Sequence, residues 1–174
     1  MKLIIFSGLP GTGKSALAEA VGRELGIPVF AKDWLEATLL RSKLVPAETE
    51  KQLGFIGYEL LTVLAERQLS LGQSVILDSV ASTESIRNTW RDLRKKYNAD
   101  WRVIECVCSD VTIHRERLEK RQRNIPGWHE LKWSDVEFVR SYYAPWNEER
   151  LILDSMQSVD KNLPAALNYC QSLE

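Results

Sequence analysis

The sequence predicts an α/β fold in which a parallel β-sheet carries helices on both faces. Short apolar runs of strand length alternate along the chain with stretches whose apolar residues recur every three or four positions. A glycine-rich loop joins the first apolar run to the first helical stretch. The length of 174 residues fits a single domain spanning residues 1–174. In such folds, functional sites lie at the carboxyl ends of the strands.

The first half of the chain predicts three strands and four helices. Leu, Ile, Val and Phe fill the strand candidates, which are residues 2–7, 28–31 and 74–77. Apolar residues at helical spacing mark the helix candidates, which are residues 15–25, a segment beginning at Trp34, a segment before Gly72 with Leu53, Ile56, Leu60 and Leu64, and a segment with Ile86, Trp90, Leu93 and Tyr97. Gly26 stops the first helix and Gly72 follows the third.

The second half continues the same alternation. Residues 101–108 are rich in β-branched side chains and predict the fourth strand, and residues 150–153 predict the fifth. Residues 111–123 predict a basic helix, and Ser134 with Glu137 fits a capping box that opens a short helix. Residues 162–173 predict a closing helix with Pro164 in its first turn.

Composition excludes several classes of protein. The formal net charge is −1, from 23 Lys and Arg against 24 Asp and Glu, so the chain has no global field for coating nucleic acid or an anionic membrane. The apolar stretches are far shorter than the roughly 18 residues that a membrane span needs. Three cysteines without a CxxC pair argue against a disulfide framework or a zinc site. A cytoplasmic protein without a membrane partner is therefore expected.

The glycine-rich loop fits the phosphate-binding pattern G-x-x-x-x-G-K-[ST]. It consists of Gly8, Leu9, Pro10, Gly11, Thr12, Gly13, Lys14 and Ser15. Its position between a strand and a helix allows backbone N–H groups and the helix dipole to bind phosphate oxygens. Lys14 is expected to reach the β- and γ-phosphates, and Ser15 to bind Mg²⁺ through its hydroxyl. A chance glycine-rich turn is the alternative.

Two carboxylates follow predicted strands and are expected near this loop. Asp78 ends a hydrophobic run, which is typical of a Walker B strand whose acid holds Mg²⁺. Asp33 follows the second strand, where an acid can accept the proton of a hydroxyl that attacks the γ-phosphoryl group. Each acid could instead serve only as the N-cap of the helix that follows it.

A local excess of positive charge marks the basic helix. Arg117 and Arg121 are one helical turn apart, so their guanidinium groups could converge on phosphate oxygens. The polar segment that follows contains Pro126 and Gly127, and it suits a lid that closes over a nucleotide, at about residues 115–134. A solvated helix with i,i+4 ion pairs is the alternative. The tryptophans near this segment are expected mainly to pack in the core: Trp128, Trp133 and Trp146.

Together these features resemble the ATP-binding P-loop kinases of the AAA-domain-like group, which includes relatives of polynucleotide kinase, zeta toxin and chloramphenicol phosphotransferase. The resemblance rests on residues 8–15, Asp33, residues 75–78, Arg117-x-x-x-Arg121 and residues 151–154. It implies a three-layer fold with a five-stranded parallel sheet in the order 2-3-1-4-5 and a small lid. It also implies ATP and Mg²⁺ as cofactors, with Asp33 as the acid that activates the acceptor.

The resemblance leaves the acceptor open, and the segment at about 34–60 is expected to choose it. A kinase acting on a small-molecule hydroxyl is the leading hypothesis, with the protein a monomer or homodimer. A nucleotide-dependent regulatory module with slow ATPase activity is an alternative, and so is a polynucleotide kinase. Nucleic acid is the weaker acceptor because acids balance bases in this segment, namely Glu36, Glu48, Glu50 and Glu59 against Arg41, Lys43 and Lys51.

Overall fold

The computed structural model describes residues 1–42 and 53–172. Its five strands are β1 (Lys2–Ser7), β2 (Val29–Ala31), β3 (Val75–Asp78), β4 (Asp100–Val107) and β5 (Leu151–Asp154). They form one parallel sheet in the order β2-β3-β1-β4-β5. The predicted fold class and strand order are therefore confirmed. Much of the segment expected to choose the acceptor, residues 43–52, lies outside the described residues.

Seven helices accompany the sheet within the described residues. They are α1 (Lys14–Leu25), α2 (Lys32–Ser42), α3 (Leu53–Ser70), α4 (Glu84–Tyr97), α5 (Val111–Lys120), α6 (Trp133–Tyr142) and α7 (Val159–Gln171). None of them is long and apolar enough to cross a membrane.

The central strand β1 separates two apolar cores. Side chains alternate along a strand, so Leu3 and Ile5 face a core that includes residues of α3 and α4, while Ile4 and Phe6 face a core with α1 and α7. All four side chains are fully buried. This two-sided burial explains why the strand reads as a continuous apolar run.

The register of the sheet brings two chemically important strand ends together. Phe6 of β1 pairs with Asp78 of β3, and Ala31 of β2 also pairs with Asp78. The phosphate-binding loop begins two residues after Phe6, and α2 begins directly after Ala31. The loop, the end of β3 and the start of α2 therefore meet at one edge of the sheet.

A buried arginine of α4 connects two chain segments near that edge of the sheet. Arg87 of α4 is fully buried, and its guanidinium lies 3.7 Å from the centre of the Trp146 ring. It donates hydrogen bonds to the carbonyl oxygens of Ala81, Ala144 and Pro145 at 2.8, 2.8 and 2.9 Å. These bonds tie the loop after β3 to the chain that returns from α6.

Three sequence-based predictions about helix ends are wrong. Helix α5 ends at Lys120, so Arg121 lies outside it with extended backbone angles, φ −72° and ψ 138°. Helix α6 begins one residue before Ser134, and its cap is the Asp135 carboxylate, which accepts from the Lys132 backbone N–H at 2.7 Å. The third wrong prediction is the start of α7.

Helix α7 begins three residues before its predicted start, at Val159, because the Ser158 side chain caps it by accepting from the Lys161 N–H. Pro164 consequently lies inside the helix rather than in its first turn.

Candidate functional site

The phosphate-binding loop is built so that its backbone can approach a ligand closely. Gly8 has φ +137°, and a Cβ atom at this position would lie 2.2 Å from the carbonyl oxygen of Cys106. Thr12 closes the turn by donating its hydroxyl to the Leu9 carbonyl at 2.9 Å. Gly13 then precedes the first residue of α1, which is Lys14. The amide groups of the loop and the positive end of α1 therefore share one location.

Lys14 is buried at this location, with 8% of its surface exposed. Burial lowers the pKa of its ammonium group, the negative charge of Asp78 acts in the opposite direction, and the positive charges of Arg123 and Arg121 lower it further. A phosphate group would supply the negative charge that this cluster of cations lacks.

Asp78 stands at the end of β3 and is also buried. Burial raises its pKa, while the charge of Lys14 and a hydrogen bond from Ser15 lower it. Its Oδ1 atom has no hydrogen-bond partner among the described residues. A buried carboxylate oxygen without a partner is costly unless a ligand completes it, and Mg²⁺ is a cation that prefers such oxygens. Asp78 and Ser15 therefore fit a magnesium site.

Asp33 lies in the first turn of α2. Because α2 begins at Lys32, Asp33 does not occupy the N-cap position that the alternative reading assigned to it. Its carboxylate forms an ion pair with the guanidinium of Arg123. Sequence analysis placed Asp33 at the strand end but gave no indication of this partner.

Asp33 and Lys14 line the same cavity, which we call the β2–β3 cavity. It has a volume of about 430 Å³ and is bounded by α2, α3, the loop after β3 and the segment after α5. Arg121 and Arg123 also line it. A hydroxyl-bearing molecule in this cavity would therefore lie between a carboxylate and the phosphate-binding loop.

Two further cavities adjoin the loop. The loop cleft, of about 570 Å³, is lined by Lys14, Ser15, Arg117, Arg121 and Arg123. The β5 cavity, of about 380 Å³, is lined by loop residues, Arg117 and the chain from Leu153 to Asn162. Both predicted lid arginines therefore line the loop cleft. Arg117 also lines the β5 cavity, whereas Arg121 also lines the β2–β3 cavity.

The divergence of the arginines follows from the early end of α5. Arg117 donates to the carbonyl oxygen of Ser155 at 2.6 Å, beside the β5 cavity. Arg121 turns toward the β2–β3 cavity, where burial lowers its pKa. Its Nε and Nη2 atoms have no hydrogen-bond partner among the described residues. Buried donors of this kind fit an anionic ligand.

The structure also shows a supporting residue that sequence analysis left without a role. His114 of α5 is buried, and its Nε2 atom lies 2.8 Å from the carbonyl oxygen of Pro10 in the loop. The ring meets Trp133 edge-on, with ring centres 5.1 Å apart. In the sequence, His114 stands out only as a histidine on the predicted basic helix. Its contact with the loop becomes visible only in the folded structure.

The tryptophans of this region differ in their surroundings. Trp133 and Trp146 are buried at 8% and 5% exposure, as expected for core residues. Trp128 instead lines the β2–β3 cavity. It stacks on His129, with ring centres 4.8 Å apart.

The chain is similar to known proteins in sequence and in structure. A family profile described as "AAA domain" matches residues 3–135. A UPF0200 protein from Aeropyrum pernix is 31% identical over 147 residues, which cover 79% of this chain and 74% of that protein.

Solved structures share the fold. A protein from Chloroflexus aurantiacus with the provisional name of kinase has a TM-score of 0.76 and 23% identity, over 98% of both chains. APS kinase from Mycobacterium tuberculosis, solved in complex with AMPPNP and APS, has a TM-score of 0.66 and 20% identity, over 98% of both chains.

Proposed function

The chain belongs to the AAA-domain family, and from this premise we propose that it is an ATP-dependent phosphotransferase that moves the γ-phosphoryl group of Mg-ATP to a hydroxyl of a small molecule. The fold it shares with an APS kinase solved in complex with AMPPNP supports this proposal. The observation that carries it is the β2–β3 cavity, because that cavity joins Lys14 of the phosphate-binding loop to the carboxylate of Asp33.

We assign the nucleotide to the loop cleft and the β5 cavity. Residues 8–15 would bind the phosphates, with Lys14 against the β- and γ-phosphates. Arg117 and the chain after β5 would surround the base, since they line the cavity on that side of the loop. Ser15 and Asp78 would hold Mg²⁺, which when bound neutralises charge on the phosphate oxygens.

We assign the acceptor to the β2–β3 cavity. Asp33 would accept the proton of the acceptor hydroxyl as its oxygen bonds to the γ-phosphorus. The bond between the γ-phosphorus and the bridging oxygen breaks, and ADP leaves with that oxygen. Arg121 and Lys14 would stabilise the charge on the transferring group. Closure of the segment after α5 would exclude water.

The test measures ADP release by the purified protein with Mg-ATP, alone and with fractions of a small-metabolite extract. Lys14→Ala provides the blank. Asp33→Asn is expected to retain nucleotide affinity while transfer falls about 100-fold or more, the scale of general-base catalysis. Asp92→Asn is the matched control, because Asp92 is an exposed residue of α4 that pairs only with Lys95 among the described residues.

The result separates the proposal from its alternatives. A fraction that accelerates ADP release and yields a phosphorylated product supports the kinase. Nucleotide binding without stimulation by any fraction favours the regulatory module, and full transfer activity in Asp33→Asn refutes the assignment of the base. Stimulation by oligonucleotides alone favours the polynucleotide kinase.

A further inference from the structure

The β2–β3 cavity is mostly apolar away from the phosphate-binding loop. Side chains from α3, α4, α6 and the chain between them form this part of its wall: Phe55, Val80, Ile86, Leu131, Val139 and Tyr142. A volume of about 430 Å³ lies within the range of sites for drug-sized ligands. A wall of this kind favours a ligand with an apolar body over a polyol, because the hydroxyls of Ser82, Thr83 and Ser85 on one side could pair with only part of a polyol's hydroxyl groups.

Both carboxylates that line the cavity are paired with a cation. Lys32 donates to Glu36 at 2.5 Å, and both side chains are almost fully buried. Lys32 also lies 4.8 Å from the centre of the Tyr58 ring. Arg123 pairs with Asp33.

Gly57 of α3 leaves room for the Lys32–Glu36 pair, because glycine has no side chain. A Cβ atom on Gly57 would lie 2.8 Å from Glu36 Oε1, so glycine gives the carboxylate its space. Burial raises the pKa of Glu36, and the adjacent Lys32 opposes that shift. Among the described residues that line the cavity, the cations without a hydrogen-bonded carboxylate are Lys14 and Arg121, which lie on the phosphate side. Among the residues that the structure describes, an anionic acceptor would find no free cation at the far end.

One neutral donor in the cavity wall has no partner. The Nε1 atom of Trp128 is buried and makes no hydrogen bond among the described residues. An indole N–H can only donate, and leaving it unpaired in the interior costs free energy. Trp128 lines the cavity, so a ligand oxygen that comes within reach of this N–H would satisfy it.

These observations rest on the proposed function and extend it to the acceptor. We propose that the acceptor is a non-anionic alcohol with an apolar, ring-sized body and an oxygen that accepts a hydrogen bond from Trp128 Nε1. The apolar wall holds the ring, the described ion pairs offer no free cation to a carboxylate or phosphate at that end, and the reacting hydroxyl lies toward Asp33.

A matched pair of small alcohols tests this assignment. The probes 2-phenoxyethanol and 3-phenylpropan-1-ol have the same length and ring, but only the first carries an ether oxygen. Gluconate serves as the anionic probe and glycerol as the neutral polyol. Dissociation constants are measured on the ADP-saturated full chain by ligand-observed NMR, and ADP release is measured separately with Mg-ATP.

We expect both aryl alcohols to bind more tightly than gluconate and glycerol. The ether oxygen should improve affinity about five- to tenfold, which corresponds to one net hydrogen bond. Trp128→Phe keeps an aromatic ring but removes the N–H, so it should erase the difference between the two aryl alcohols. Its melting temperature shows whether the variant folds, and Trp101→Phe, which loses an indole N–H bonded to Glu148 outside the cavity, is the control.

Each outcome bears on one proposal. Tighter binding of gluconate or glycerol, equal affinity of the aryl alcohols for the unmodified chain, or no detectable binding of any probe overturns the acceptor class. Faster ADP release with gluconate alone overturns it while leaving the kinase intact. Aryl alcohols that bind as expected without faster ADP release support the chemical class of the site and count against phosphoryl transfer.

Discussion

The carboxylate of Asp33 is held by the guanidinium of Arg123, whose own backbone N–H donates to Glu130 at 2.8 Å. The pair joins the start of α2 to the segment after α5, so the proposed base and the proposed lid are in direct contact. Arg123 also lines both the loop cleft and the β2–β3 cavity. It can therefore reach a nucleotide phosphate from the same region in which it holds Asp33.

We predict that Arg123→Gln slows transfer about 100-fold, because it removes a positive charge near the transferring group and a partner that orients Asp33. The measurement is steady-state ADP release with a stimulating fraction, with nucleotide affinity determined in parallel. Arg115→Gln is the control, since Arg115 is 59% exposed and pairs only with Glu119 among the described residues. An equal loss of transfer rate in the two variants would contradict a role of Arg123 in the site.

Gly8→Ala is predicted to destabilise the protein by about 3 kcal/mol or more and to abolish nucleotide binding. The Cβ of the new alanine would overlap the Cys106 carbonyl oxygen, and alanine also disfavours the positive φ of this position. Gly26→Ala isolates the second effect, because Gly26 has φ +65° with nothing within 4 Å, and should cost about 1–2 kcal/mol. Chemical denaturation measures both. Similar costs at the two positions would show that the loop relaxes around the methyl group.

Lys14 and Asp78 are expected to be energetically coupled in the ligand-free protein. Removing either charge leaves the other buried with less compensation, because Asp78 raises the pKa of Lys14 and Lys14 lowers the pKa of Asp78, each against the effect of burial. A double-mutant cycle with Lys14→Met and Asp78→Asn should therefore give a coupling free energy of about 0.5–3 kcal/mol, with the double variant more stable than the sum of the singles predicts. Additive effects would contradict this. All three variants should lose nucleotide binding.

His114 should make stability depend on pH. Burial lowers the pKa of its ring below the ordinary 6.5. The unfolded chain therefore binds more protons than the folded chain in this range, and the contribution of His114 is present above about pH 6.5 and lost as the pH falls toward the folded-state value. Denaturation of the unmodified chain and of His114→Gln between about pH 7.5 and 5.5 checks this. The stability difference between them should shrink on acidification, and a constant difference would refute the assignment.

The parts of the fold that follow from local chemistry were predictable from the sequence. Apolar runs located all five strands, and the loop motif located the turn from β1 into α1. The strand order came from the family resemblance and is confirmed. The structure gathers Lys14, Asp33 and Arg121 around one cavity. The chemical roles assigned to these residues remain predictions.

The features that were missed depend on contacts between distant segments. Nothing in the local sequence stops α5 at Lys120, since Pro126 lies beyond the point at which the helix ends. The burial of Arg121 and the pairing of Arg123 with Asp33 accompany that end, and both require the folded cavity. The contact of His114 with Pro10 spans 104 positions in sequence. Helix periodicity carries no information about such partners.

The central position of β1 makes the proposed enzyme modular. The β2–β3 cavity and the β5 cavity lie on opposite sides of the phosphate-binding loop and share no lining residue among those described. Within the part of the chain that the structure describes, residues 32–42 and 53–58 contribute to the first of these two cavities only, and residues 153–162 to the second only. Exchange of residues in the segments of the first cavity other than Asp33 and Trp34, of which Trp34 lines the loop cleft, could thus retarget the molecule to another acceptor without rebuilding how it recognises its nucleotide.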